Sequence, residues 1–328
     1  TGRSFVPLST SFACAIPGVL ATRILADERD RIATMVVAPL MSCSARLPVY
    51  VVLIGAFFPA ERAGLLLAGM YLLGIVCAGL VAWLLRRTVL RGGKSMLAME
   101  LPAYQMPSLG AVAGQAWSAV TSFLRTAGTV IFAASVVVWV LGYFPRSEQV
   151  AEQFATARAA VPEGADREQR LAEIDASEAG AQLEQSWLAR IGKSVQPVFE
   201  PAGFDWRITV GILAAFPARE LIVPTLGTLH SLGEVEADPD EADPRLRDAL
   251  RNATDEQGRP VMGPLVALGL MAFFALCSQC SSTLAAIRRE SHSWRWAFFT
   301  FGYMTGLAWL VAVAIHQVGS LLGLGLPG

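Results

Sequence analysis

Apolar blocks separated by short charged connectors run the length of this chain. Residues 32–58, 63–85, 119–144, 261–287 and 294–318 are each long enough for a helix to cross a hydrocarbon core about 30 Å thick at a rise of about 1.5 Å per residue. Three further apolar stretches are interrupted by proline: residues 5–25 by Pro7 and Pro17, residues 191–204 by Pro197 and Pro201, and residues 206–230 by Pro217 and Pro224. These read as broken or re-entrant helices, because proline removes a backbone donor and frees a carbonyl one turn back. Residues 102–118 are mixed and are expected along the membrane interface. Residues 145–186, rich in Ala, Glu, Arg and Gln, predict a solvated helical hairpin outside the membrane. Residues 233–259 carry nine acids against four arginines and predict an acidic loop on the non-cytoplasmic side.

Composition agrees with this pattern. The 328 residues are 54% hydrophobic and only 16% charged, with a mean hydropathy of +0.48, against about 25% charged in soluble domains. The fold class expected is all-α: a polytopic helical membrane protein with two repeats containing broken or re-entrant helices. Arg86, Arg87, Arg91 and Lys94 follow the second span, and Arg288, Arg289 and Arg295 cluster before the last. Both ends are therefore cytoplasmic by the positive-inside rule. A net charge of −1 and the lack of a basic stripe with interleaved aromatics exclude a nucleic-acid partner. The chain opens on Thr-Gly-Arg-Ser without an initiating Met, and is expected to be part of a longer protein.

The chemistry is concentrated inside the spans. The first one holds Ala38-Pro39-Leu40-Met41-Ser42-Cys43-Ser44-Ala45-Arg46-Leu47-Pro48. Arginine alone costs about 2.5–3.5 kcal/mol at mid-membrane on insertion scales, so such a cluster has to face protein or a water-filled path. Cys43 stands between two hydroxyls and two prolines; it is either a path residue or a small residue at a tight helix crossing. Cys14 lies three residues before Pro17. Cys277 and Cys280 are spaced i and i+3, which predicts one helix face, inside a polar run that ends at Thr283. Cys77, among Gly74, Ala78 and Gly79, reads as small-residue packing. The five cysteines avoid the polar loops, so a disulfide framework is not expected. Glu220, beside Arg219, is either a direct ligand or a charge-neutralising partner of Arg219 or Arg46. Glu100 and Glu290 lie near span ends, where solvated positions are expected.

An internal echo supports two halves. Gly2-Arg3-Ser4-Phe5-Val6-Pro7 recurs 190 residues later as Gly192-Lys193-Ser194-Val195-Gln196-Pro197. A proline-interrupted element and then a span with an interior arginine, Arg46 or Arg219, follow each copy. Paired discontinuous segments of this kind point to a transporter site between repeats. The organisation expected is a first repeat over 1–144, a polar insert over 145–186 and a second repeat over 187–328. Gly192-Lys193-Ser194 lacks the earlier glycine of a phosphate-binding loop, since Trp187 occupies that position. Neither His-Glu-x-x-His nor Gly-x-Ser-x-Gly occurs, and a structural zinc site would need a second cysteine pair.

Several of these runs resemble the membrane domain of bacterial ferrous iron transport protein B. They are Ser4-Phe5-Val6-Pro7-Leu8, Phe12-Ala13-Cys14-Ala15-Ile16-Pro17, residues 38–48, residues 99–104, residues 197–204 and residues 285–291, in the family's order over nearly the whole chain. The resemblance implies two Gate repeats and Fe²⁺ transport across the bacterial cytoplasmic (inner) membrane. It also implies GTP hydrolysis with Mg²⁺ in an upstream domain that this chain does not contain. Membrane lipid, that upstream GTP-binding domain, small cytoplasmic accessory iron-transport proteins and a homo-oligomer are the partners it suggests. By the same resemblance, Cys14, Cys43 and Cys280 match cysteines of the ion path, and Glu220 matches the acid of a family Lys-Glu stretch that here reads Arg219-Glu220. Cys277 has no assigned counterpart, and Pro217 and Pro224 are local departures. Met41, Ser42, Ser44, Arg46, Cys277, Glu100 and Glu290 are supporting candidates, and Pro7, Pro17, Pro39, Pro48, Pro197 and Pro217 are the expected helix breaks.

Ferrous iron accepts sulfur with carboxylate and carbonyl oxygen, so the residues agree with that cargo. The alternative is a nucleoside or other small-solute carrier of the same repeat type, which calls for aromatic and amide residues inside spans; only Gln115 and Gln279 answer to that. A membrane-embedded cysteine enzyme would need a base near the thiol, and no histidine falls inside the polar spans. A redox-regulated scaffold with sensor disulfides is a further class, and thiol labelling under oxidising and reducing conditions separates it from an ion path.

Overall fold

The computed structural model describes residues 4–90, 108–162, 167–230, 232, 244–254 and 260–323, with the backbone alone at 111, 115, 119, 122, 126, 127, 169 and 220. Among these residues the chain is helical, and one isolated bridge joins Thr254 to Pro260.

The first half opens on a hairpin. Helices α1 (Phe5–Thr10) and α2 (Ala15–Ala21) fold back on each other through Ser11–Cys14. Their approach is close enough that a Cβ on Gly18 would lie 1.8 Å from Ser11 Oγ and 2.8 Å from the Pro7 carbonyl oxygen. Pro7 and Pro17 each sit third in their helix, where the amide has no intrahelical partner to lose. They start these helices; the break lies between them. A 3-10 turn (Thr22–Ile24) leads to α3 (Glu28–Val37), N-capped by the Asp27 carboxylate. The helix then breaks through two 3-10 turns, Ala38–Leu40 and Ser44–Arg46, joined by extended Met41 and Cys43, and resumes as α4 (Leu47–Phe57). Pro39 and Pro48 lie in the first two positions of their elements and so mark restarts. The unbroken α5 (Ala60–Arg87) returns.

A lipid-facing rod follows. Helix α6 (Leu109–Phe123) passes through a π-turn (Leu124–Gly128) into α7 (Thr129–Tyr143). The helix that covers the span expected at residues 119–144 starts at Leu109, and Leu109, Val112 and Trp117 on its first part are exposed. Helices α8 (Glu148–Ala159) and α9 (Arg167–Gln185) make a hairpin in which the Arg158 guanidinium binds the Asp175 and Glu178 carboxylates. Amphipathic α10 (Trp187–Phe199) comes next. Pro197 does not end it, since the helix runs on to Phe199. The chain turns instead at Gly203, whose φ of +77° is left-handed and whose amide donates to Glu200 O at 2.8 Å.

The second half repeats the plan. Helix α11 (Trp206–Ala214), capped by Asp205, and α12 (Ile222–Leu229) form another hairpin, since a Cβ on Gly211 would lie 3.2 Å from Ile222 Cγ1. Residues 233–259, expected as a loop, contain α13 (Pro244–Asn252). Its Leu246 and Leu250 are fully buried, and Arg251 donates to the Ala56 carbonyl at the end of α4. Helix α14 (Pro264–Leu276) breaks at Cys277–Cys280, resumes as α15 (Ser281–Ser291), and the unbroken α16 (Trp294–Leu321) closes the fold. Hairpin, broken helix and long helix thus occur twice. The echo of Gly192–Pro197 with the amino terminus falls outside this plan: it matches part of α10 to the start of α1, and residues 1–3 lie outside the described residues.

The two halves run in opposite directions. At one end Arg86 of α5 pairs with Asp30 of α3 at 3.0 Å, and Arg23 pairs with Glu290 of α15 at 2.5 Å. The start of α3 and the end of α15 therefore share a level, which makes α3–α4 and α14–α15 antiparallel. Arg87 over Trp83 at 5.3 Å and Arg288 over Trp294 at 4.1 Å mark the basic end of the molecule. The broken helices lie inside, with 72% of each apolar window buried; α5 and α16, with 28% and 22%, face lipid.

A broken helix inside a membrane leaves carbonyls without donors, each costing several kcal/mol in hydrocarbon. Side chains supply them, among them Tyr303 of α16, whose hydroxyl donates to Val36 O at 2.7 Å. Arg46, fully buried, donates to Pro39 O at 3.0 Å, to Leu40 O at 3.4 Å and to Ser42 Oγ at 3.2 Å. Arg219, also buried, donates to Phe274 O at 2.8 Å and Cys277 O at 2.6 Å at the end of α14. Gln279 Nε2 donates to Ile212 O in α11 at 3.1 Å.

Two outcomes follow. Arg46→Met orphans two buried carbonyls at about 1–3 kcal/mol each, so the detergent-purified protein should melt at clearly lower temperature, with Arg46→Lys between the two. Gly18→Ala should force the first hairpin apart at a cost of about 1–3 kcal/mol. Gly79→Ala, where a Cβ meets nothing within 4 Å, should leave the melting temperature unchanged; equal melts for both glycine variants would show that the hairpin is not tightly packed.

Candidate functional site

Hairpin tips and helix breaks meet around one cavity of about 220 Å³. The tip of the first hairpin brings Cys14, the break in α3–α4 brings Cys43, and the break in α14–α15 brings Cys280. The tip of the second hairpin brings Pro217 and Arg219. Each of the three cysteines is the residue immediately before a helical element: Cys14 before α2, Cys43 before the Ser44–Arg46 turn that leads into α4, and Cys280 before α15. That position is where backbone N–H groups point outward and where the peptide dipoles favour an anion. All three thiols are free and half-buried.

The other candidates fall into several groups. Met41, Ser44 and Pro39 line the cavity with the thiols. Ser42 does not: its hydroxyl accepts from Arg46, and it packs toward α5, where a Cβ on Gly74 would come within 3.1 Å of Ser42 Oγ. Arg46 is spent on the carbonyls of the Ala38–Leu40 turn. Cys277 does not share a face with Cys280, because Cys277–Cys280 is extended and the helical i, i+3 relation does not apply there. Its buried thiol lines a separate apolar cavity of about 340 Å³, beside Phe216, Phe273 and Phe301. Cys77, on lipid-facing α5, is half-buried and does not line the thiol cavity.

Glu290 is not solvated. It is 5% exposed, holds Arg23 through two hydrogen bonds of 2.8 and 2.5 Å, and its carbonyl accepts from Arg31 Nη2. The reason is the fold-back of the first hairpin, which lays Arg23 across the end of α15. The backbone of Glu220 lies in the 3-10 turn Arg219–Leu221 at the second hairpin's tip, and its side chain is outside the described residues, as is all of Glu100.

Ser278 and Thr283 also line the cavity, and sequence reading did not single them out. The available signal was helical spacing from Cys280, since Thr283 follows it by one turn on the same face. Among the described residues, no three His, Cys, Asp or Glu side chains converge closely enough to chelate an ion. Sulfur and hydroxyl groups are therefore spread along the cavity's lining together with one guanidinium, that of Arg219.

Two family models match the chain. One, the Gate model described as nucleoside recognition, covers residues 1–57 and 124–294; the other, described as ferrous iron transport protein B C terminus, covers residues 67–118. The Fe(2+) transport protein A/Fe(2+) transporter FeoB fusion protein of Porphyromonas gingivalis is 41% identical over 326 residues, which is 98% of this chain and 38% of that protein. The Fe(2+) transporter FeoB of Leptospira interrogans is 37% identical over 328 residues, 98% of this chain and 44% of that protein. That of Campylobacter jejuni is 33% identical over 322 residues, 98% and 47%. The chain thus spans less than half the length of these relatives. No solved structure matches it. With both models and these relatives aligned along nearly all of it, the chain belongs to the ferrous iron transport protein B family and corresponds to that family's Gate-type membrane region.

Proposed function

We propose that this chain is the permease part of a ferrous iron transporter, and that Fe²⁺ crosses through the cavity bounded by Cys14, Cys43 and Cys280. The observation that carries the reading is the convergence of three thiols from three separate helix starts on one cavity. Fe²⁺ is borderline in softness and accepts thiolate, thioether and oxygen ligands together. Transit requires binding strong enough to replace hydration and weak enough to release, which dispersed ligands suit better than a closed cage. A dication beside Arg219 needs compensating negative charge, and Glu220 is the group assigned to supply it. Met41 and Ser44 are assigned as auxiliary ligands.

A nucleoside would need a platform of rings and amides. Phe123 is the one ring among the cavity's described lining residues, and no amide lines it.

In the same reading the protein sits in the bacterial cytoplasmic (inner) membrane with its basic end inward. Its repeats occupy residues 1–144 and 187–328, flanking the polar insert 145–186. Transport is coupled to GTP hydrolysis, with Mg²⁺, in a domain of the whole protein outside these residues. The fusion named in the Porphyromonas relative supports a small accessory iron-transport protein as partner, and a homo-oligomer embedded in lipid completes the assembly.

Cys43→Ser in the full-length protein should lower Fe²⁺ uptake into vesicles at least about tenfold, since hydroxyl is a poor substitute for soft sulfur, with protein level and melting temperature held. Uptake equal to the parent would remove Cys43 from the route.

A further inference from the structure

We propose that Arg23, Glu290 and Arg31 form a clamp at the basic end of the molecule that sets the spacing of Cys14 and Cys280, and that they act as positioning residues for the ion's passage. The inference rests on the reading of the thiol cavity as the ion's route.

Two helical elements, α2 and α15, each carry a thiol at the cavity end and a clamp residue at the far end, and α3 packs between them. Helix α2 begins after Cys14, and its continuing 3-10 turn holds Arg23. Helix α15 begins after Cys280 and holds Glu290 in its last turn. Helix α3 holds Arg31 in its first turn and leads through the break to Cys43. The clamp residues bind one another directly: Arg23 Nε to Glu290 Oε2 at 2.8 Å, Arg23 Nη2 to Glu290 Oε1 at 2.5 Å, and Arg31 Nη2 to Glu290 O at 2.5 Å.

Length makes this geometry consequential. At about 1.5 Å per residue, a helix of 7 or 11 residues is a rod of roughly 10–16 Å with no slack between its ends. A tilt at the clamp therefore appears at the thiol. The fork of Arg23 on the Glu290 carboxylate fixes orientation as well as distance, as bidentate guanidinium–carboxylate pairs do. The packing beneath is continuous: Ile16 and Val19 of α2, Met35 of α3 and Ala286 and Ile287 of α15 form one buried cluster between clamp and cavity. The Glu290 side chain is 6% exposed and that of Arg23 59%, so the clamp is closed toward the core and open toward the basic end.

The test uses the full-length protein in membrane vesicles with Cys77 and Cys277 replaced by Ser. A short bis-thiol reagent links Cys14 to Cys280, and the linked peptide is quantified by mass spectrometry in the absence of iron. Glu290→Gln and, independently, Arg23→Gln should each lower the linking yield at least about fivefold, the low end of ordinary coupling between sites. Because the Arg23 side chain is mostly exposed, that variant breaks the same bonds without disturbing the core. Arg23→Glu combined with Glu290→Arg should restore most of the yield, which loss of packing alone would not allow. Unchanged yield in both single variants would overturn the clamp, as would failure of the exchanged pair to recover. Fe²⁺ uptake measured in parallel separates the two readings: a fallen linking yield with unchanged uptake leaves the clamp standing and removes the thiol cavity from the ion's route.

Discussion

A backbone carbonyl at mid-membrane has no water to accept from, and this constraint organises the whole fold. Any break in a spanning helix exposes several such carbonyls, so each break needs a donor built in. Arg46 serves its own helix, reaching back to Pro39 and Leu40. Arg219 and Gln279 act across the molecule: the second hairpin caps α14 through Arg219, and the break after α14 caps α11 through Gln279. Ser281 adds a further tie, its amide donating to Phe216 O at 3.3 Å. Breaks that satisfy one another must sit together, which explains why the interrupted helices form the interior and the uninterrupted α5 and α16 the lipid face.

Arginine suits this task because one planar group supplies several donors and stays charged. The consequence is two buried positive charges beside a path assigned to a dication. The break that exposes carbonyls on one side presents N–H groups on the other, and a cysteine precedes each of the three helical elements that start at the cavity.

Much of this was legible in the residues. Span length and hydropathy located α5 and α16, and the prolines together with interior Arg46 and Arg219 marked where regular helix had to fail. The convergence of Cys14, Cys43 and Cys280 followed from family resemblance, since nothing in their spacing states which elements touch. The errors share one physical cause, a local rule applied where tertiary structure overrides it. Cys277 and Cys280 obey helical spacing only if the segment is helical, and the break makes it extended. Glu290 reads as solvated from its place at a span end, and burial comes from Arg23, 267 residues away in sequence. Pro197 reads as a breaker, yet α10 runs through it to Phe199 and the chain turns only at Gly203.

The antiparallel halves are alike in plan and joined at different levels. The second hairpin is tied at its tip, by Arg219 and by the Phe216 carbonyl, to the break in α14–α15. The first hairpin is tied at its base, by Arg23 to Glu290 at the end of α15. Both ties land on the same broken helix, one near mid-membrane and one at the basic end. The tip tie bears directly on the wall of the cavity, and the base tie bears on the far ends of the two helices that begin at Cys14 and Cys280.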